Sequence, residues 1–439
     1  MAFEKLDAPA LARALAAVAD RAEDHAEIFF ESCEELELPP EGAAVGLRRR
    51  RDQGFAVRLL RDGRSWLASR DGIDGRGFVE ALRQVARALP AALVEPALEP
   101  QGDLPGIDSA ELLAFPALLE RAIRSHHAAF PARVGVRILA RDVAVVGARW
   151  SAPPERERFA ALEIETPWGR RGALFPRLDA AAAAELGAAL VGHFRARRAP
   201  SPAASRERLL LAPAATATLL HEAVAHALEA DLLALAGRPE AARGVALGPA
   251  QLDVLDDPAA APAGVARAYD DEGSPVVRRW LLRQGRVEQP LADVASARRS
   301  EHLLPGSGFR ASRHAPPLPR TVHLEMPAGG ATRAELVRAG EGGLWVPEVE
   351  SGALDPASGA VRLEIPYARR LSGGEAGEAC GRFAIVGRVA DLLGAIVAIG
   401  DEAVAAGAGW CAKGGQRRPV WASAPAILLD GVAIAGSGG

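Results

Sequence analysis

At 439 residues the chain is long enough for two to three domains, each with a core of its own. Apolar residues make up 49% and charged residues 25%, the balance of an ordinary soluble globular protein, and a net charge of −4 gives no basic field for nucleic acid. No apolar run reaches the roughly 18 residues of a membrane span; charges cut off even Leu392–Gly400.

The N-terminus, Met-Ala-Phe-Glu-Lys-Leu-Asp, lacks the basic-then-apolar layout of a secretory signal. Three cysteines, Cys33, Cys380 and Cys411, are too few for a disulfide framework, so a reducing cytoplasm is expected. Of 52 basic residues only Lys5 and Lys413 are lysine, which draws notice to both.

Residues 9–22 repeat apolar positions with helical period. Glu27–Glu31 and the runs on either side of Gln53 read as strands, with Asp62-Gly63 as a turn. The basic run Arg48–Arg51 lacks interleaved aromatics and reads as a solvated strand end rather than a phosphate-binding patch. Helices follow at about 76–89 and 109–128, strands near 134–150 and 158–176, and an alanine-rich helix at about 179–195. This is the pattern of an α+β domain, expected over residues 1–198.

Arg197–Arg208 combines prolines, serines and charge without periodicity and reads as the linker. Leu209–Ala212 is then a short strand, and Pro213 suits the first position of a helix that should run to Ala236, stopped by Gly237 and Pro239. Beyond about residue 245 come short strands broken by Gly and Pro. The second domain, 206–439, is therefore mainly β and carries one long helix.

That helix contains His221-Glu222-Ala223-Val224-Ala225-His226. Neutral imidazole nitrogens bind zinc, and a neighbouring carboxylate can take a proton from an activated water, so Glu222 is the candidate general base. A five-residue step, however, turns the second histidine about 140° round a regular helix, where a four-residue step turns it about 40°. One metal then requires a π-bulge to absorb the extra residue; otherwise one histidine is buried and the other faces solvent. A third ligand has to come from elsewhere. His25, His126, His127, His193, His302, His314 and His323 are available, but none sits in a Gly-rich turn as Cys411 does, in Gly407-Ala408-Gly409-Trp410-Cys411-Ala412-Lys413-Gly414-Gly415-Gln416. Lys413, two residues away, could favour the thiolate. A buried inert thiol is the competing reading of Cys411.

These residues resemble the TldD/PmbA proteases. His221–Asp231 is similar to the family's HExxxH helix with its trailing Leu-Glu-x-Asp, and Cys411-Ala412-Lys413-Gly414-Gly415-Gln416 to its Cys-Gly-Lys-x-Gly-Gln turn. Asp270-Asp271-Glu272-Gly273-Ser274-Pro275 resembles Asp-Asp-Glu-Gly-Thr-Pro, and Arg310-Ala311-Ser312 with Pro317-Leu318-Pro319-Arg320 follows in order. Ala225 and Ala412 replace glycines, and the glycine-rich segment expected near 348–353 reads Pro-Glu-Val-Glu-Ser-Gly in outline.

The resemblance implies a zinc ion on His221, His226 and Cys411, a base at Glu222, and a barrel-like catalytic half. It implies a substrate of unfolded or unstructured peptide. It also implies a dimer, either with a second copy or with a metal-free PmbA/TldE-like paralogue. Glu229, Asp231 and Lys413 are candidates to support the ligands from behind. Two other readings share the motif: a non-catalytic peptide-binding or escort subunit with a structural zinc, and an enzyme maturing one peptide natural product.

Overall fold

The computed structural model describes residues 2–19, 21–40, 46–86, 95–98, 107–126, 132–167, 169–196, 199–237, 243–300, 302–406 and 409–436. Its first half is a six-stranded antiparallel sheet of β1 (His25–Leu38), β2 (Arg48–Arg61), β3 (Arg64–Asp71), β4 (Arg133–Gly147), β5 (Ser151–Thr166) and β6 (Gly169–Phe175), in the order β3-β2-β1-β4-β5-β6. Asp62, at positive φ, and Gly63 form the tight turn between β2 and β3. Four helices, α1 (Ala8–Ala16), α2 (Gly75–Val85), α3 (Ser109–Arg124) and α4 (Ala180–Ala196), accompany it. Each begins behind an aspartate (Asp7, Asp74, Asp108, Asp179) whose carboxylate accepts a backbone N–H of the first turn.

Strand alternation separates two faces. Ile28 and Phe30 of β1 pack with α1 and α2, and Leu36 and Leu38 pack with α3 and α4. Glu27, Phe29 and Glu31 point the other way, toward the second half of the chain. The Arg48–Arg51 run pairs across β1, where Arg49 and Arg51 reach Glu34 at 2.9 and 3.2 Å.

The expected strand over 158–176 is two strands, β5 starting at Ser151. The first helix stops at Ala16, and the third ends at Arg124; the expected extensions to 87–89 and 127–128 lie outside the described residues. The linker is shorter than expected: Arg197 and Arg198 lie outside the described residues, and Ser205–Leu211 is already a strand, β7.

β7 belongs to a fourteen-stranded sheet organised around one 21-residue strand, Gln416–Gly436. That strand pairs antiparallel with β7, Phe383–Arg388, Ile396–Ala405 and Gly409–Lys413, and parallel with His323–Glu325. The α+β class holds, but the sheet does not close into a barrel. Its main path ends at Arg286–Val287 on one side and at Glu375–Cys380 on the other. Short strands interrupted by Gly and Pro lack the continuous pairing that closure needs. No helix among the described residues is long and apolar enough to cross a membrane.

Candidate metal centre

β7 leads directly into α5 (Pro213–Leu220), with Pro213 at its first turn and Ala212 extended before it. Ala215, Ala217, Leu219 and Leu220 are buried in the main core, so this helix lies inside the second sheet's apolar mass. At His221 the winding changes. Residues His221–Ala225 form a π turn, in which the His226 N–H donates to the His221 carbonyl across five residues. The wider turn absorbs the residue that a regular helix would send about 140° away. The two imidazoles therefore face each other, with centroids 4.6 Å apart and planes at 73°.

The expected helix to Ala236 is interrupted. Residues His226–Leu228 tighten into a 3-10 turn, and Glu229 is extended (φ −78°, ψ 123°) before α6 (Ala230–Leu235). The break frees the Leu228 carbonyl and the Ala230 N–H, and the backbone of Leu291 meets both at 2.8 and 2.9 Å. It also turns Glu229 back on its own helix. Glu229 Oε2 lies 2.8 Å from His226 Nδ1, where an Nδ1–H donates to the carboxylate and turns Nε2 toward Cys411.

Cys411 does not sit in a loop. It is buried in the strand Gly409–Lys413, which pairs with the start of Gln416–Gly436 through a two-residue turn of Gly414 and Gly415, both at positive φ. Glycine at these two positions permits the turn; it does not loosen the cysteine. Cys411 Sγ is 3.5 Å from His226 Nε2. His221, His226 and Cys411 each offer a ligand atom within 4.8 Å of the others.

Lys413 does not reach the thiol as expected. Its ammonium donates to Asp231 at 2.7 Å and to the Pro319 carbonyl at 2.8 Å, and lies 3.0 Å from Glu229. Two residues apart on one strand, Lys413 and Cys411 share a face, but the ammonium is taken up by Asp231, Glu229 and the Pro319 carbonyl rather than by the thiol. It joins Glu229 and Asp231 in one chain of charges behind His226.

Burial pushes the Glu222 carboxyl up from the usual range and holds His221 well below the usual histidine value, with His226 adding to the depression. Burial also pulls on His226, but Glu229 and the Cys411 contact outweigh it and raise it to about 11 in the metal-free protein. A neutral His221 is the form that binds a metal. Its Nδ1 is buried without a hydrogen-bond partner, as is Glu229 Oε1. Two imidazoles, a thiol and unsaturated acceptors suit a borderline-soft cation such as zinc. The other histidines weighed as ligands stand elsewhere: His314 contacts Ser69 and Asp71, and His323 lies 3.4 Å from Glu325 with burial pulling it to about 4. His127 lies outside the described residues.

Sequence reading missed the residues that hold this centre in place. Arg320 is buried and donates to the carbonyls of Cys411 (3.4 Å), Lys413 (2.9 Å) and Gln416 (2.9 Å). Gln416 in turn binds the Ala311 N–H and the Pro316 carbonyl, so the Arg310–Arg320 segment wraps the hairpin. Arg418, opposite Cys411 in register, donates to Asp271, to Glu157 and to the Arg310 carbonyl. The Asp270–Pro275 segment thereby ties the hairpin to the first sheet. Gly352 is the third omission: a Cβ there would lie 2.5 Å from Glu222 Cγ. Only the motif order hinted at these contacts, since nothing local marks an arginine as buried.

Residues 204–436 match the family model described as the PmbA/TldA metallopeptidase C-terminal domain. A metalloprotease TldD homolog of Haemophilus influenzae is 26% identical over 225 residues, covering 50% of this chain and 46% of that protein. A metalloprotease of Methanothermobacter thermautotrophicus is 25% identical over 248 residues, 55% and 53% of the two chains. The chain thus aligns with about half the length of the curated relatives it matches. Two solved structures share its fold over nearly the full length. TldE from Thermococcus kodakarensis superposes with a TM-score of 0.68 at 17% identity, covering 94% of this chain and 96% of that one. A Thermotoga maritima protein, described as a candidate modulator of a DNA gyrase, gives 0.70 at 17%, covering 96% and 98%.

Proposed function

Because the chain belongs to the PmbA/TldD metallopeptidase family, we propose that it is a zinc-dependent peptidase acting on unfolded or unstructured peptides. The observation that carries this reading is the convergence of His221, His226 and Cys411 within 4.8 Å, with Glu222 inside the same π turn. Three protein ligands leave an open position, as catalytic sites do, where structural zinc sites are usually closed by four. When bound, the metal would polarise the peptide carbonyl and activate a water.

The rest falls to the chain's own residues. Glu222 accepts the proton of the attacking water and returns it to the departing amine; its upward shift from burial brings it closer to the working pH. Glu229 orients His226, and Lys413 with Asp231 fixes Glu229. Gly352 leaves the room that Glu222 occupies. Ser351–Asp355 pairs on one side with Ala360–Ile365 and, among the described residues, has no strand on the other. An extended peptide can add there, main chain to main chain, with Glu222 alongside.

The same reading takes the chain as two domains, 1–198 and 206–439, working as a dimer with itself or with a metal-free TldE-like paralogue. The free cysteines Cys33, Cys380 and Cys411 agree with a reducing cytoplasm. Turnover of an unstructured peptide, measured with and without a chelator, tests the activity. Chelator-sensitive cleavage that returns with zinc supports the peptidase. Zinc retention and peptide binding without cleavage would leave an escort subunit instead.

A further inference from the structure

A cavity of about 220 Å³ adjoins the ligand cluster and shares His226 with it. One wall is the outer side of the metal helix, His226 to Ala236; the others are Val245, Leu247, Val287, Leu354 and Val389. Among the described residues, no ionisable side chain other than His226 lines it. Pockets for whole drug-sized ligands run from about 300 to 1,000 Å³, so this one is sized for a single side chain. Val245, at the cavity wall, is 43% exposed, so the cavity is open to solvent on that side.

The strand Ser351–Asp355 connects this cavity to the reacting centre. Its side chains alternate, and Gly352 and Leu354 share one face. Gly352 touches Glu222, while Leu354 lines the cavity. Two residues along a strand are about 7 Å, so the cavity opens one side-chain step from the base. A peptide paired with the free edge of this strand would present side chains to the same face at the same interval.

Building on the peptidase reading above, we propose that this cavity is a specificity subsite that takes an apolar side chain, of leucine size, from the residue one or two positions from the scissile bond. An aspartate there would lose its hydration with no donor to replace it, whereas a leucine would cover Val245 and Leu354.

The test is a calorimetric titration of zinc-loaded Glu222→Gln protein with short, capped Ser/Ala peptides carrying one central Leu or one central Asp. The Leu peptide should bind about tenfold or more tightly. Leu354→Trp, which fills the cavity, should remove that preference, as should Val245→Glu, a change at an exposed position that leaves the core alone. With the wild-type enzyme, the cut should fall at a fixed distance of one or two bonds from Leu. Equal affinities, or a Leu preference that survives both substitutions, would overturn the subsite. Chelator-sensitive cleavage of both peptides at equal rates would also sink the subsite while sparing the peptidase reading. Leu-selective binding with no turnover would do the reverse, and absence of any binding would overturn both.

Discussion

Two buried clusters in this protein have the makings of a metal site, and they differ in who answers their charges. His25, Glu27 and Glu272 bring ligand atoms within 4.8 Å of one another, as His221, His226 and Cys411 do. In the first cluster every carboxylate oxygen is already engaged. Glu27 binds Arg310, Arg58 and His25, and Glu272 binds Arg58 and the Val294 N–H. The network continues through Glu31, Glu157 and Asp271 to Arg141, Arg267, Arg313 and Arg418, with each acid bonded on both oxygens. The second cluster instead retains an orphaned imidazole nitrogen and an unbonded carboxylate oxygen. Proximity of donor atoms is thus a poor guide to a cation site; unspent acceptor capacity is a better one. The arginine-filled cluster joins the two sheets, and the acceptor-rich one is left for chemistry.

The contrast breaks most sharply at the metal centre. Glu222→Gln should keep zinc through dialysis, by elemental analysis, and lose about 10²- to 10⁴-fold in turnover. Cys411→Ala should be as inactive but lose the metal, because two imidazoles hold zinc poorly. If Cys411→Ala retained full zinc, the third ligand assigned here would be wrong.

A substitution in the network should cost stability and spare metal chemistry. Arg310→Met removes the donor on Glu27 Oε1 and leaves Arg58 and His25 on Oε2, so one buried carboxylate oxygen goes unsatisfied, which typically costs about 1–3 kcal/mol. Urea unfolding should show the midpoint falling at unchanged slope, with zinc content per folded protein intact. Loss of zinc without loss of stability would reverse the roles of the two clusters.

Gly352→Ala sharpens the boundary between them. The added methyl meets Glu222 Cγ at 2.5 Å and displaces the base, whose atoms are the nearest to it. Turnover should fall by up to about 100-fold, as for a misplaced catalytic group, while zinc and thermal midpoint stay near wild type. An unchanged kcat would mean that Glu222 is not positioned from this side.

The mildest effect is expected from acid. Burial disfavours the Glu27 carboxylate, but Arg58, His25 and Arg310 overcome this and hold it down at about 2 from its usual 4.5. Its contribution is therefore present above about pH 4.5 and lost as pH falls toward 2. Near-UV circular dichroism should show stability declining through that window, and Glu27→Gln should flatten the decline. A stability curve level from pH 4.5 to 2 would show that the network does not stabilise through charge.

Much of the centre could be read from the chain: His221, Glu222 and His226 were visible as a motif, and their five-residue step demanded the π turn now seen. Strand and helix positions in the first half are legible because alternation and helical period are local signals, and so are the aspartates Asp7, Asp74, Asp108 and Asp179 that cap the helix starts. What failed was whatever depended on distant partners. The helix break at Glu229 exists because Leu291 covers it, and Lys413 turns away from Cys411 because Asp231 and Pro319 receive it.

The sequence by itself determined the α+β class and marked His221, His226 and Cys411 as candidate ligands and Glu222 as the candidate base, since these follow from periodicity and from the chemistry of imidazole, thiolate and carboxylate. Only the tertiary structure decided that the second sheet stays open, that Cys411 lies in a rigid hairpin, and which of two similar clusters keeps room for a cation. The last of these turns on which buried acid meets which arginine across 100 residues or more of chain, as Arg310 meets Glu27 and Arg418 meets Glu157. Local patterns do not encode such pairings, because a buried ion is tolerated only where the folded chain brings its counter-ion to it.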